Sequence, residues 1–200
     1  MRIAILTFDG FNEIDSFVAL HILNRMVRRG WKAEICGPSR HVESMNGVKI
    51  ETQQPLELAS DADGVIIGSG RLTRSLIEDS AMMARIRLDP ARQLIGSQCS
   101  GALMLAKLGL VTGTVPVCTD NTTRPYVEAA GLRVLDQPFV CHGNVATAGG
   151  CLAGQYLAAW LLWRLAGKQD AEEALDYVAP VSEETQYVQR ALAVVAPFIT

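Results

Sequence analysis

Short, wholly apolar runs alternate along this chain with longer stretches of helical spacing, and that alternation constrains its fold more than any other feature. Arg2 to Thr7, Gly64 to Gly68 and Leu94 to Ser97 read as strands buried on both faces, because their apolar residues are consecutive rather than alternating. Lys32 to Cys36 reads as a further strand. From Glu13 the apolar positions Ile14, Phe17, Val18, Ile22 and Met26 recur at helical spacing until Gly30. Leu76 to Leu88, Ala102 to Leu108, Thr123 to Ala130, Leu152 to Leu165, Ala171 to Val178 and Glu183 to Val195 read as helices. Val115 to Thr119 is expected to be another strand. Asn46-Gly47 reads as a turn before Val48 to Thr52, and Phe139 to Cys141 and Val145 to Thr147 flank the turn His142-Gly143-Asn144. Parallel strands need crossovers of a dozen or more residues, usually helices. The pattern therefore predicts an α/β chain, doubly wound, with a mostly parallel sheet covered by helices on both faces. With no repeat, low-complexity tract or composition break, residues 1–200 are expected to form one domain.

Composition narrows the function classes. Hydrophobic residues make up 49% and charged residues 20% of the 200, which suits a packed core rather than a disordered chain. The net charge is −3 and no block of Lys and Arg is present, so nucleic acid and anionic membranes are poor partners. Leu157 to Leu162 falls far short of the roughly 18 apolar residues that suggest a membrane span. Met1-Arg2 runs straight into Ile3 to Leu6 and then Asp9, without the pattern of a signal peptide, so a cytoplasmic location is expected. Cys36, Cys99, Cys118, Cys141 and Cys151 are odd in number and contain no CxxC. His21, His41 and His142 show no ligand spacing. Neither disulfides, a metal nor a cofactor is expected, and the cysteines other than Cys99 read as small apolar residues.

Ser97-Gln98-Cys99-Ser100-Gly101 lies where a buried strand meets a helix. A cysteine with small residues two before and two after it suits a sharp, strained turn that exposes a nucleophile. On its own the pentapeptide suits a buried thiol equally well. The following helix is expected to point its N–H groups at the sulfur and lower the thiol pKa. In open parallel sheets ligands bind at the carboxyl ends of the strands, which gathers the loops carrying Asp9, Asn12, Glu13 and Asp15, then Ser69 and Gly70, then Asp120 and Asn121. The Ser100 N–H is a natural oxyanion donor, and Gly70 is a second one, since backbone approaches closely where no side chain intervenes. Asp15 is placed to reach the sulfur and share a proton with it, or simply to complement the first turn of a helix, as Glu13 does. Asp120 is placed to orient a base or substrate, or to act as a turn or helix cap. His142 reads as a hairpin residue, and Tyr126, Trp160 and Trp163 as core or interface.

Taken together, these residues resemble the DJ-1/PfpI (ThiJ) superfamily, of the class I glutamine amidotransferase-like fold. The matching features are Ile3 to Phe8 followed by Asp15, Ser44-Met45-Asn46-Gly47, Gly64 to Gly70, Gly96 to Ala102 with Leu108-Gly109-Leu110, Gly143-Asn144, and Thr147-Ala148-Gly149-Gly150 before an apolar helix. The resemblance implies a flavodoxin-like sandwich, a homodimer, and a reactive Cys99 hydrogen-bonded to Asp15. Within the superfamily the isonitrile hydratase branch is most similar, since an Asp stands at position 15 and a small hydroxyl residue, Ser100, follows the cysteine. It implies attack by Cys99 on the terminal carbon of an isonitrile, with Asp15 as general acid and base and water releasing an N-formamide.

The chain departs from that branch at Ser16-Phe17-Val18-Ala19, where a Gly-Pro pair is usual, and at Gly68-Ser69-Gly70, where Pro-Gly-Gly is usual. Asp120 stands where related chains often carry His. The substrate is thus expected to be a small molecule with an electrophilic carbon: an isonitrile, an amide or an α-oxoaldehyde. A redox or electrophile sensor built on Cys99 is the competing reading. A binding module like the sensor half of a transcription regulator ranks behind both.

Overall fold

The computed structural model describes residues 1–199. Among the described residues there are nine strands and eight α-helices. The strands are β1 (Arg2–Leu6), β2 (Lys32–Gly37), β3 (His41–Glu43), β4 (Lys49–Glu51), β5 (Gln54–Pro55), β6 (Gly64–Ile67), β7 (Leu94–Gln98), β8 (Phe139–His142) and β9 (Val145–Ala148). The helices are α1 (Glu13–Leu23), α2 (Thr73–Leu76), α3 (Ser80–Ala84), α4 (Gly101–Lys107), α5 (Arg124–Ala129), α6 (Gly154–Leu165), α7 (Lys168–Val178) and α8 (Glu184–Val195). Seven strands form one sheet in the order β5-β2-β1-β6-β7-β9-β8, and every neighbouring pair is parallel except β8 with β9. The expected doubly wound α/β sandwich is present.

Strand residues alternate between two cores, as the two-residue period of a strand requires. Ile3, Ile5, Ala33, Ile35 and Ile66 pack under α1, α6, α7 and α8, with Trp160 and Leu157 fully buried among them. Ala4, Leu6, Val65, Ile67 and Ile95 face the other way, onto α4 and the segments carrying Leu56, Met83 and Val127. Gly96 makes room for the first core: a Cβ there would come within 2.8 Å of Leu157 Cδ2.

Two expected elements are corrected. Val115 to Thr119 is not a strand of the sheet; only Val117 makes a bridge, to Val134. Pro116 lacks an N–H, and the Cys118 N–H donates to the Thr147 side chain at 2.7 Å instead of to a ladder. Of the expected helix Leu76 to Leu88, only Ser80–Ala84 forms a helix, α3, while α2 ends at Leu76 where the expected span begins. Asp79 separates them by accepting the Met82 N–H at 2.9 Å, so a new helix begins there. The first helix also tightens into a 3₁₀ turn, Asn24–Arg29, before Gly30 ends it in the left-handed conformation.

Candidate active site

The carboxyl ends of β1, β6, β7 and β9, four adjacent strands, converge on one cavity of about 480 Å³. Cys99, Asp15, Ser69, Gly70, Ser100, Asp120 and Cys151 all line it. The loops after β1 and β6 are lashed together. Phe11 bridges Gly70, the Asn12 N–H donates to Ser69 O at 2.9 Å, and the Arg71 N–H donates to Gly10 O at 2.9 Å. Gly70 is required for this approach, since a Cβ there would lie 2.4 Å from Gly10 O.

Cys99 sits one residue beyond β7 at φ +46, a left-handed conformation that side chains other than Gly, Asn and Asp rarely adopt. Neighbours hold it there. Its N–H donates to Ala148 O at 2.8 Å, and its carbonyl accepts the Thr119 hydroxyl at 2.8 Å. Gly101 follows because a Cβ at that position would meet Ile67 O at 2.8 Å. The expected sharp, strained turn between strand and helix is therefore present at Cys99.

Asp15 lies in the first turn of α1 and is 1% exposed. Ser69 Oγ donates a short hydrogen bond to its Oδ2, while its Oδ1 has no hydrogen-bond partner among the described residues. A carboxylate oxygen of Asp15 and the sulfurs of Cys99 and Cys151 lie within 4.8 Å of one another. Burial pushes the Asp15 carboxyl above its ordinary range, against the lowering effect of the Ser69 hydroxyl. The expected lowering of the Cys99 thiol pKa is overturned. Burial, and after it the facing Asp15 carboxylate, pushes the thiol well up, and seven-residue α4 does not reverse this. A thiol thus faces the Asp15 carboxyl, the group placed to exchange a proton with it.

The oxyanion donors differ from expectation in one respect. The Ser100 N–H donates to no atom of the described residues, but the Gly70 N–H already donates to Ser100 Oγ at 3.2 Å. That hydroxyl is also 2.8 Å from Thr73 Oγ1. Asp120 serves the turn before α5: its Oδ1 accepts the Thr122 and Thr123 N–H groups, both at 2.9 Å. Its charge also faces the cavity and adds to the upward push on Cys99. Glu13 binds Ser44 Oγ at 2.5 Å and Asn46 Nδ2 at 2.9 Å, which fixes the Asn46-Gly47 turn against α1. His142, at the end of β8, is exposed and does not line the cavity.

Two residues read as apolar or structural belong to the site. Cys151 is half-buried, and its sulfur accepts a hydrogen bond from Asn12 Nδ2 at 3.2 Å. Tyr126 lines the cavity with the Arg74 guanidinium 4.1 Å above its ring centroid. The glycine pair before Cys151 is the signal in the sequence. Gly149 packs where a Cβ would lie 2.3 Å from Thr119 O, which marks the loop after β9 as a place of close backbone approach.

The DJ-1/PfpI family model matches residues 1–162. The chain belongs to the DJ-1/PfpI family. Among solved structures, Schizosaccharomyces pombe DJ-1 superposes with a TM-score of 0.75 at 20% identity, covering 90% of this chain and 100% of that one. A THiJ/PfpI family protein from Pseudomonas syringae gives 0.76 at 22% identity, covering 96% and 89%. At these identities the structures show a shared fold. The Arabidopsis thaliana DJ-1 protein homolog F is 32% identical over 79 residues, 39% of this chain and 20% of that protein. This DJ-1/PfpI chain thus spans about a fifth of that relative's length. None of the helices among its described residues is long and apolar enough to cross a membrane.

Proposed function

We propose that this DJ-1/PfpI protein is a cysteine-dependent enzyme that hydrates a small carbon electrophile, with an isonitrile as the best-fitting substrate. The observation that carries the reading is the Cys99 thiol facing a buried Asp15 carboxylate in a cavity that no histidine of the described residues lines. A carboxylate held above its ordinary pKa is a stronger base than a free one, and so suits removal of a thiol proton.

The sequence of events conserves atoms and charge. Cys99 Sγ bonds to the terminal carbon of the isonitrile as its proton passes to Asp15. Asp15 returns that proton to the same carbon, leaving a thioimidate. Water then adds to the carbon, the C–S bond breaks, and the proton returns to sulfur as the N-formamide leaves. The first step forms no oxyanion. The commitment of the Gly70 N–H to Ser100 Oγ therefore favours this route over amide hydrolysis, which calls for two free donors at one oxygen. The Ser100 N–H remains to assist when water adds.

The same reading keeps one domain, no metal or cofactor in the reaction, and a cytoplasmic homodimer. Self-association is supported by exposed Ile14 and Leu152 beside Phe17 and Val18 on one apolar groove. The test is a kinetic screen of isonitriles, glyoxals and small amides with wild type and Cys99→Ala. Formamide production by wild type alone is expected. Equal turnover by the variant, or turnover of amides in place of isonitriles, contradicts the reading.

A further inference from the structure

We propose that Cys99 and Cys151 form a reversible dithiol–disulfide pair, oxidised by a hydroperoxide, that switches the cavity off. The inference stands on the arrangement of the two sulfurs and does not depend on which substrate Cys99 attacks. Their atoms lie within 4.8 Å of each other and of a carboxylate oxygen of Asp15. A second, independent observation is the unpartnered Oδ1 of Asp15, on a side chain 1% exposed, beside these thiols. It is a proton acceptor kept dry with nothing to accept from except sulfur.

Cys151 is the sulfur that a peroxide meets first. It is more exposed than Cys99, which is only 3% exposed. Each sulfur accepts one side-chain N–H, and the donor on Cys151, Asn12 Nδ2 at 3.2 Å, is nearer than Gln98 Nε2 on Cys99 at 3.6 Å. Asn12 caps α1 through Oδ1, which accepts the Ile14 N–H at 3.1 Å, so its amide orientation is fixed and its NH₂ faces Cys151 Sγ. Burial and then the Asp15 charge push the Cys151 thiol up, and the Asn12 N–H offsets part of that rise. Cys151 opens a three-residue 3₁₀ turn directly after Gly150, at φ +91, while Gln98 Nε2 holds the Gly150 carbonyl at 2.7 Å beside the elbow. Closing from under 4.8 Å to the bond length of about 2.05 Å falls to side-chain rotation and this glycine.

The chemistry balances with a hydroperoxide as the sole oxidant. Cys151 sulfur bonds to the terminal peroxide oxygen, the O–O bond breaks, and the alcohol or water that leaves carries the thiol proton. Cys99 sulfur then attacks the Cys151 sulfenic acid and passes its own proton to Asp15. The S–S bond forms, the S–O bond breaks, and hydroxide departs with that proton as water. Two thiols have supplied two electrons, and an exogenous dithiol, itself oxidised to a disulfide, restores them. Cys99 in the disulfide has no nucleophilic sulfur.

The test treats the folded protein with hydrogen peroxide and maps its cysteines by mass spectrometry. Wild type is expected to lose two hydrogens and two titratable thiols, yield a Cys99–Cys151 linked peptide, and recover fully with dithiothreitol. Cys99→Ser is expected to trap a dimedone-reactive sulfenic acid at Cys151, and Cys151→Ser to form no linked peptide and to oxidise more slowly. Direct conversion of wild-type Cys99 to sulfinic acid without a linked peptide would overturn the proposal. So would oxidation of Cys151→Ser at the wild-type rate. Loss of isonitrile turnover bears on neither result, since both readouts are of sulfur alone.

Discussion

Cys36 and Cys99 stand at the carboxyl edge of the same sheet, at β2 and just past β7 with β1 and β6 between them, and both are buried. Cys36 lies within β2, in regular register opposite Leu6, and packs into the core with Val65 and Ile67. Burial pushes its thiol up to about 12, and the thiol donates to the backbone carbonyl of Glu34, in its own strand, at 3.6 Å. Cys99 lies one residue past its strand, at positive φ, and faces a carboxylate in a cavity. Burial is common to both and so does not mark a reactive cysteine. A backbone bent out of the strand and an acid across the sulfur separate the two.

The comparison is broken most directly by exchanging each thiol. Cys99→Ala is expected to lower turnover by ~10³-fold or more, while Cys36→Ala leaves it at the wild-type level. Asp15→Asn is expected to cost ~10²–10⁴ in turnover, the usual share of a general base. The same change should stabilise the fold. Burial raises the folded-state pKa of Asp15, so the stability this group contributes is complete below its unfolded pKa of about 3.9 and is lost as pH rises through the folded value. Near pH 7 Asp15→Asn should therefore raise Tm by about 2–4 °C, the effect of ~1 kcal/mol in a chain of this length, and the gain should vanish toward pH 4. Thermal melts at the two pH values check this.

Smaller effects sharpen the account. Ser69→Ala removes a hydrogen bond that holds the Asp15 carboxyl down, so the acid limb of the kcat/KM profile should move to higher pH. Activity falls there because a protonated Asp15 takes no proton from the thiol. An unmoved acid limb would detach Asp15 from the rate. Cys36→Ala should cost about 1 kcal/mol for the cavity it leaves, read as a Tm drop of roughly 2–4 °C with kinetics unchanged.

Much of this was legible in local pattern. The runs that became β1, β6 and β7 are continuous and apolar because both faces of those strands are covered, and each ends in a loop that carries a site residue. Asp15 and Ser100 were legible as a first-turn acid and a residue at a helix start. What was not legible depends on distance in space. The sign of the Cys99 pKa shift is decided by desolvation and by the Asp15 charge, which only the assembled fold delivers. Cys151 reaches Cys99 because β9 inserts beside β7, and the hairpin around His142 does not announce that order. Val115 to Thr119 carries the composition of a strand, but Pro116 and the Thr147 hydroxyl divert its backbone from the sheet.

The central claim is that conformation and a facing acid, not burial, make Cys99 reactive. Site-resolved alkylation of the native protein by iodoacetamide, read by peptide mapping over time, tests it. Cys99 is expected to be modified while Cys36 stays protected until the protein unfolds. Equal protection of both thiols in the folded state, or labelling of Cys36 as fast as Cys99, would contradict it.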